Sequence, residues 1–160
     1  MSKELTIELS EADYNKMRTM LEGLEGADRT NAVRTALTDG MAVIISEGKA
    51  NLKARNNVVS GGLSHSFASR VYRKGGYVLG GFRRSSKSKK VKGAGNAAHL
   101  VDRGTVVRKT KKGYNRGSVS KGQPNKGSMF WTDSVRKNGD KAMKRLMDSL
   151  YQSISKIMNR

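Results

Sequence analysis

Two histidines, His65 and His99, one central acid, Asp102, and many serines are the residues in this chain with catalytic potential. On paper they compose a Ser–His–Asp relay, in which the imidazole takes the serine proton and the carboxylate orients the ring. No G-x-S-x-G elbow accompanies them to present a serine on a strained strand-to-helix turn. A metal would need two ligands beyond the histidines, and the acids of the middle segment are limited to Asp102. A surface or capping role is therefore expected for both histidines. Metal-assisted phosphodiester cleavage needs a carboxylate cluster, which is missing here. The glycines of Gly75-Gly76, Gly80-Gly81 and Lys92-Gly93-Ala94-Gly95-Asn96 match phosphate-cradling loops in content only. No Walker pattern follows them, and no G-x-G-x-x-G opens a helix after a strand, so they read as turns. Cysteine is absent, which excludes disulfides, thiol catalysis and a thiolate metal site. The expectation is a protein that is not an enzyme and uses no cofactor or metal.

The chemistry present in quantity is cationic charge. Residues 51–127 hold nineteen Lys and Arg against one acid, whereas residues 1–50 hold six bases and nine acids. The last thirty-three residues hold seven bases and three acids, so nearly all of the net +19 sits in the middle. Such a block raises the local potential by several kT and requires counter-anions. A nucleic-acid backbone, bound with release of condensed ions, is the usual one. Two loops concentrate the charge: Arg83, Arg84, Lys87, Lys89, Lys90 and Lys92 in one, and Arg108, Lys109, Lys111, Lys112 and Arg116 in the other. They suit phosphate contacts that read no sequence, and they equally suit an acidic protein neighbour. Tyr114 is the one aromatic among them, so stacking of bases on these loops has little support.

At 160 residues, 36% hydrophobic and 28% charged, the chain has the size of one domain, spanning 1–160, with its core drawn mostly from the two ends. Three parts are expected: a helical part over 1–57, a β-hairpin with basic loops over 58–127, and C-terminal helices over 128–160. The longest apolar run, residues 41–45, is far too short to span a membrane. The start, Met1-Ser2-Lys3-Glu4, lacks the apolar stretch of a signal peptide, so a cytoplasmic site of synthesis is expected.

Local patterns place the elements. Leu5, Ile7 and Leu9 alternate with polar residues as in a short strand. Ser10 caps a first helix with Glu11 and Asp13 in its first turn, Tyr14, Met17 and Leu21 at helical spacing, and Gly23 and Gly26 beyond its end. A second helix, capped by Asp28 or Thr30, carries Ala32, Val33, Ala36, Leu37, Met41, Ile44, Ile45 and Leu52 on one stripe. Gly40 and Gly48 lie on or beside that stripe and predict close approach of another backbone. Residues 60–63 read as a turn. Residues 67–72 and 77–82 read as a β-hairpin across Arg73-Lys74-Gly75-Gly76, with a bulge or strand end at Gly80-Gly81. A short helix over 95–103 is capped by Asn96, with Ala97, Leu100 and Val101 inward, and residues 105–109 suit a strand. Met129, Phe130, Trp131 and Val135 suit a short aromatic helix that stops near Asn138-Gly139. Asp140 then caps a last helix, whose stripe runs through Ala142, Met143, Leu146, Met147, Leu150, Tyr151, Ile154, Ile157 and Met158. Met17, Met41, Met143 and Met147 are expected as packing at the core or between subunits. The fold class is α+β: long N-terminal and C-terminal amphipathic helices packed on a small antiparallel sheet, with long basic loops.

The order of these features resembles a family of tailed-phage proteins. Ser60-Gly61-Gly62-Leu63-Ser64-His65-Ser66-Phe67 resembles the family's T-G-x-L-x-x-S-I step after a long helix. Ala98-His99-Leu100-Val101-Asp102-Arg103-Gly104-Thr105 looks like its Y-A-x-x-x-E-x-G-T segment, with His99 in place of Tyr and Asp102 near the Glu. Met129-Phe130-Trp131 and the final amphipathic helix resemble its P-F-x-x-P-A block and closing helix, without the prolines. The family is that of the lambda-like tail-completion, or minor tail component, proteins that join heads to tails in long-tailed phages.

The resemblance implies a structural virion protein of the tail and neck, similar to the tail terminator in size and α+β architecture. It would be made in the host cytoplasm and assemble as a homo-oligomeric ring, a hexamer, between the tail tube protein and the head connector or stopper protein. Genomic DNA in the channel is a further implied partner; a membrane is not. Gly61, Leu63, His99, Asp102, Gly104 and Thr105 are the implied motif positions, and Phe130 and Trp131 would anchor the closing helix. A small basic nucleic-acid-binding protein of ribosomal or nucleoid type fits charge and size equally well.

Overall fold

Ser10 starts the first element as its type dictates. Its Oγ accepts from the Asp13 amide at 3.2 Å and caps α1 (Glu11–Glu22), whose dipole is met by Glu11 and Asp13. The computed structural model describes residues 10–24, 26–55, 62–72, 77–83, 95, 98–104 and 127–159. The expected strand over residues 4–9 and that over 105–109 lie outside them. The remaining elements are α2 (Gly26–Ala54), α3 (Gly62–Ser66), β1 (Phe67–Tyr72), β2 (Tyr77–Phe82), α4 (Ala98–Arg103) and α5 (Phe130–Met158). The architecture is α+β, mostly helical, with long helices from both ends of the chain and one two-stranded antiparallel sheet.

Helix α2 begins at Gly26, where φ is +55°, two residues before the expected cap. Asp28 lies in its first turn, and the Thr30 hydroxyl donates to the Gly26 carbonyl at 3.1 Å. The buried residues of α2 fall at every fourth position: Ala32, Ala36, Gly40, Ile44, Gly48 and Leu52. Four of the six are Ala or Gly, so this ridge lets neighbours come close to the helix backbone.

The chain divides into two compact units, and both α2 and α5 contribute residues to each. In the first (Met1–Ser46, Ser69–Gly80, Val135–Arg160), Leu21, Leu24, Ala32, Ala36, Leu150 and Ile154 form the core, with Met17, Met20, Val33, Leu146 and Ile157 packed against it. A Cβ at Gly40 would lie 3.0 Å from Leu146 Cβ and 3.1 Å from the Ala142 carbonyl, as the close approach expected there requires. Ser149 donates to Asp39 at 2.8 Å beneath this contact. Tyr151 and Met158, assigned to the inward stripe, are 61% and 76% exposed.

Helix α5 runs unbroken over 29 residues, about 43 Å at the α-helical rise, through Asn138 and Gly139. This corrects the expected stop there and the separate last helix capped by Asp140, which is an exposed residue within α5. The physical reason is anchoring on both sides of the glycine. Asn51 donates to Ser134 at 2.9 Å before it, and Ser149 and Leu146 are held after it. An interior glycine costs about 1 kcal/mol, whereas two new helix ends would each leave four backbone groups without helical partners.

In the second unit (Glu47–Ala68, Gly81–Ser134), the segment read as a turn at 60–63 enters a helical turn at Gly62. The Ser66 hydroxyl closes it on the Leu63 carbonyl at 2.7 Å. The hairpin strands have the expected bounds, and the Arg83 amide donates to the Ser66 carbonyl at 2.8 Å. In α4 the buried pair is Ala98 and Asp102, one turn apart, while Leu100 and Val101 are half-buried. Asn96 and Ala97 lie outside the described residues.

Candidate partner interface

Helix α4 and residues 128–132 meet in the second unit at Asp102. This carboxylate is 5% exposed. Its Oδ1 accepts from the Trp131 amide at 2.7 Å and the Thr132 amide at 3.3 Å, and its Oδ2 accepts from the Thr132 hydroxyl at 2.6 Å. Those amides belong to the first turn of α5, so Asp102 caps a helix from which it is distant in sequence. The join is completed by the Ser128 amide and hydroxyl donating to the Val101 carbonyl, at 2.9 and 3.0 Å, and by the Met129 amide donating to the Asp102 carbonyl at 2.7 Å. Gly104 follows α4 with φ +80°, its amide on the Leu100 carbonyl at 2.8 Å, the left-handed step that ends a helix at low steric cost.

Four aromatic rings lie beside this cap. Phe67 and Phe82 are 4.7 Å apart between centroids, and each meets Phe130 and Trp131 in tilted or edge contacts of 5.4–6.0 Å. Phe130 is fully buried. Gly48 exists because the rings leave no room: a Cβ there would stand 2.7 Å from Phe67 Cε1 and 3.2 Å from Trp131 Cε3. Arg55 pairs with Asp133, and Asn51 holds Ser134, on the same stretch of α5.

Of the motif positions, Asp102, Gly104, Phe130 and Trp131 are thus brought together. Leu63 is half-buried in α3, and His99 is exposed on α4. Gly61 and Thr105 lie outside the described residues. Of the eleven basic-loop residues Arg83 alone is described, and it is exposed just after β2. Arg84, Lys87, Lys89, Lys90, Lys92, Arg108, Lys109, Lys111, Lys112 and Arg116 lie outside the described residues. His65 is exposed as well, and Asp102 accepts from Trp131 and Thr132. Among the described residues no three His, Asp or Glu gather in a way that could hold a metal ion.

Two surface features of the first unit were not read from the sequence. The rings of Tyr72 and Tyr77 stack at 4.9 Å and 14°, and the Arg70 guanidinium lies 4.9 Å from the Tyr72 centroid. Tyr77 is 46% and Leu79 54% exposed. The alternation of residues 70–79 about Gly75-Gly76 carried the signal for this arrangement. The second feature is a shallow depression of about 280 Å³ lined by Lys16, Met20, Arg145, Met147, Asp148, Tyr151 and Gln152.

No protein-family model, curated protein or solved structure matches the chain. No helix among the described residues is long and apolar enough to cross a membrane.

Proposed function

We propose that the protein is a non-enzymatic structural component of the neck of a long-tailed phage, a tail-completion protein. In this reading it forms a homo-oligomeric ring, a hexamer, that joins the tail tube to the head connector. The observation that supports it best is the junction at Asp102. The segment resembling the family's Y-A-x-x-x-E-x-G-T block caps the helix that resembles its closing helix, beside Phe130 and Trp131. The charge partition fits the same role. Six copies of a segment of formal charge +18 would bring about +108 to one axis, which requires anions nearby. DNA in the channel or an acidic ring above or below supplies them. Purified protein mixed with completed tails should give terminal rings in negative-stain images, and sedimentation should report a closed oligomer. A strictly monomeric protein with no affinity for tails would overturn the reading.

The nineteen bases against one acid in residues 51–127 equally favour a small nucleic-acid-binding protein of ribosomal or nucleoid type. In that case affinity for duplex DNA falls steeply with salt, with a slope of several phosphate contacts. A flat salt response in an anisotropy titration would remove it.

A further inference from the structure

We propose that the outward face of the β1–β2 hairpin binds a single strand of nucleic acid, by stacking a base on the Tyr72–Tyr77 pair and holding a phosphate on Arg70. The site uses the hairpin alone, so it does not rest on the neck assignment.

Side chains alternate between the faces of a strand. Val78, Gly80 and Phe82 share one face of β2, on which Phe82 joins the buried rings and Gly80 lies so close to Met41 that a Cβ would overlap its sulfur. Tyr77 and Leu79 share the other face, and both are exposed. On β1 the residues with the same orientation as Tyr77 include Arg70 and Tyr72, as the ring stack requires. The outward face thus presents a column of two stacked phenol rings, with a guanidinium 4.9 Å from the centroid of the Tyr72 ring. A nucleobase adds to such a column as a further plane, and stacking of this kind tolerates any base.

Charge selects the occupant. From residue 48 to residue 101 the chain contains twelve Lys and Arg and no Asp or Glu, and Arg73 and Lys74 lie in the connection between the stacked tyrosines. A second copy of the same face would bring like charge against like charge, which opposes self-pairing through this surface. A polyanion is the complementary partner. The exposed rings then discriminate among polyanions: in a duplex the bases are already stacked and paired, and an acidic polypeptide has no planes to contribute.

Fluorescence anisotropy with a labelled oligothymidylate, a duplex and poly-glutamate tests this on the full chain. The single strand should bind most tightly. Tyr77→Ala should weaken it roughly ten-fold, one stacked base's worth, with an unchanged salt slope because no charge is removed. Arg70→Ala should weaken it and lower the slope by about one, and Tyr77→Phe should bind as wild type. In the unaltered chain, ultraviolet crosslinking should place the oligothymidylate on Tyr72 or Tyr77. Wild-type affinity in a folded Tyr77→Ala protein, or duplex or poly-glutamate binding as tight as the single strand, overturns the proposal. So do crosslinks confined to residues 84–126.

Discussion

Asp102 satisfies donors that no residue type advertises. The amides of Trp131 and Thr132 are open because they start a helix, and a buried carboxylate from another element fills them. Replacement by alanine leaves these donors and the Thr132 hydroxyl without their acceptor, so Asp102→Ala should cost about 1–3 kcal/mol in urea unfolding. Asp102→Asn keeps one oxygen and should cost less. Gly48 makes the opposite kind of demand. A methyl there gains about 1 kcal/mol of helix propensity but meets Phe67 at 2.7 Å, and overpacking of about 1–3 kcal/mol should leave Gly48→Ala the less stable protein by thermal melting. Sequence reading marked Asp102 as the solitary acid of the middle segment and Gly48 as a place of close approach. It had no access to what either one touches, because those neighbours lie on elements far away along the chain.

Elements were legible where local chemistry decides them. The hairpin bounds follow from β-prone runs around Gly75-Gly76, and the start of α1 follows from Ser10 with acids behind it. The stop expected at Asn138-Gly139 rested on the same local grammar, and here tertiary anchors override it: Ser134 on one side, Leu146 and Ser149 on the other. The two descriptions of α5 separate experimentally. Proline is tolerated in the connection before a new helix but costs about 3 kcal/mol inside one. Gly139→Pro should therefore lower the melting temperature and the helical circular-dichroism signal. A protein unaffected by that change would have a broken helix in solution. The exposed Tyr151 and Met158 show a second limit: periodicity names the residues of a stripe, while its width depends on what packs there.

At the scale of the molecule, charge was the most legible property and its use the least. Residue counts alone reveal the cationic middle segment, yet of the eleven loop positions nominated for partner contact only Arg83 falls within the described residues. The hairpin column escaped notice because Arg70, Tyr72 and Tyr77 are unremarkable singly and acquire meaning only when two strands place them in register. If the loops carry phosphate contacts, charge-neutralising Lys111→Gln with Lys112→Gln should lower the salt slope of duplex binding by about two. Asp102 adds a consequence for handling. The middle segment's single carboxylate is sequestered as a helix cap, so it is committed to backbone amides and a hydroxyl and is not offered to that segment's bases. Whatever polyanion this protein grips will be eluted by ionic strength or by a competing polyanion.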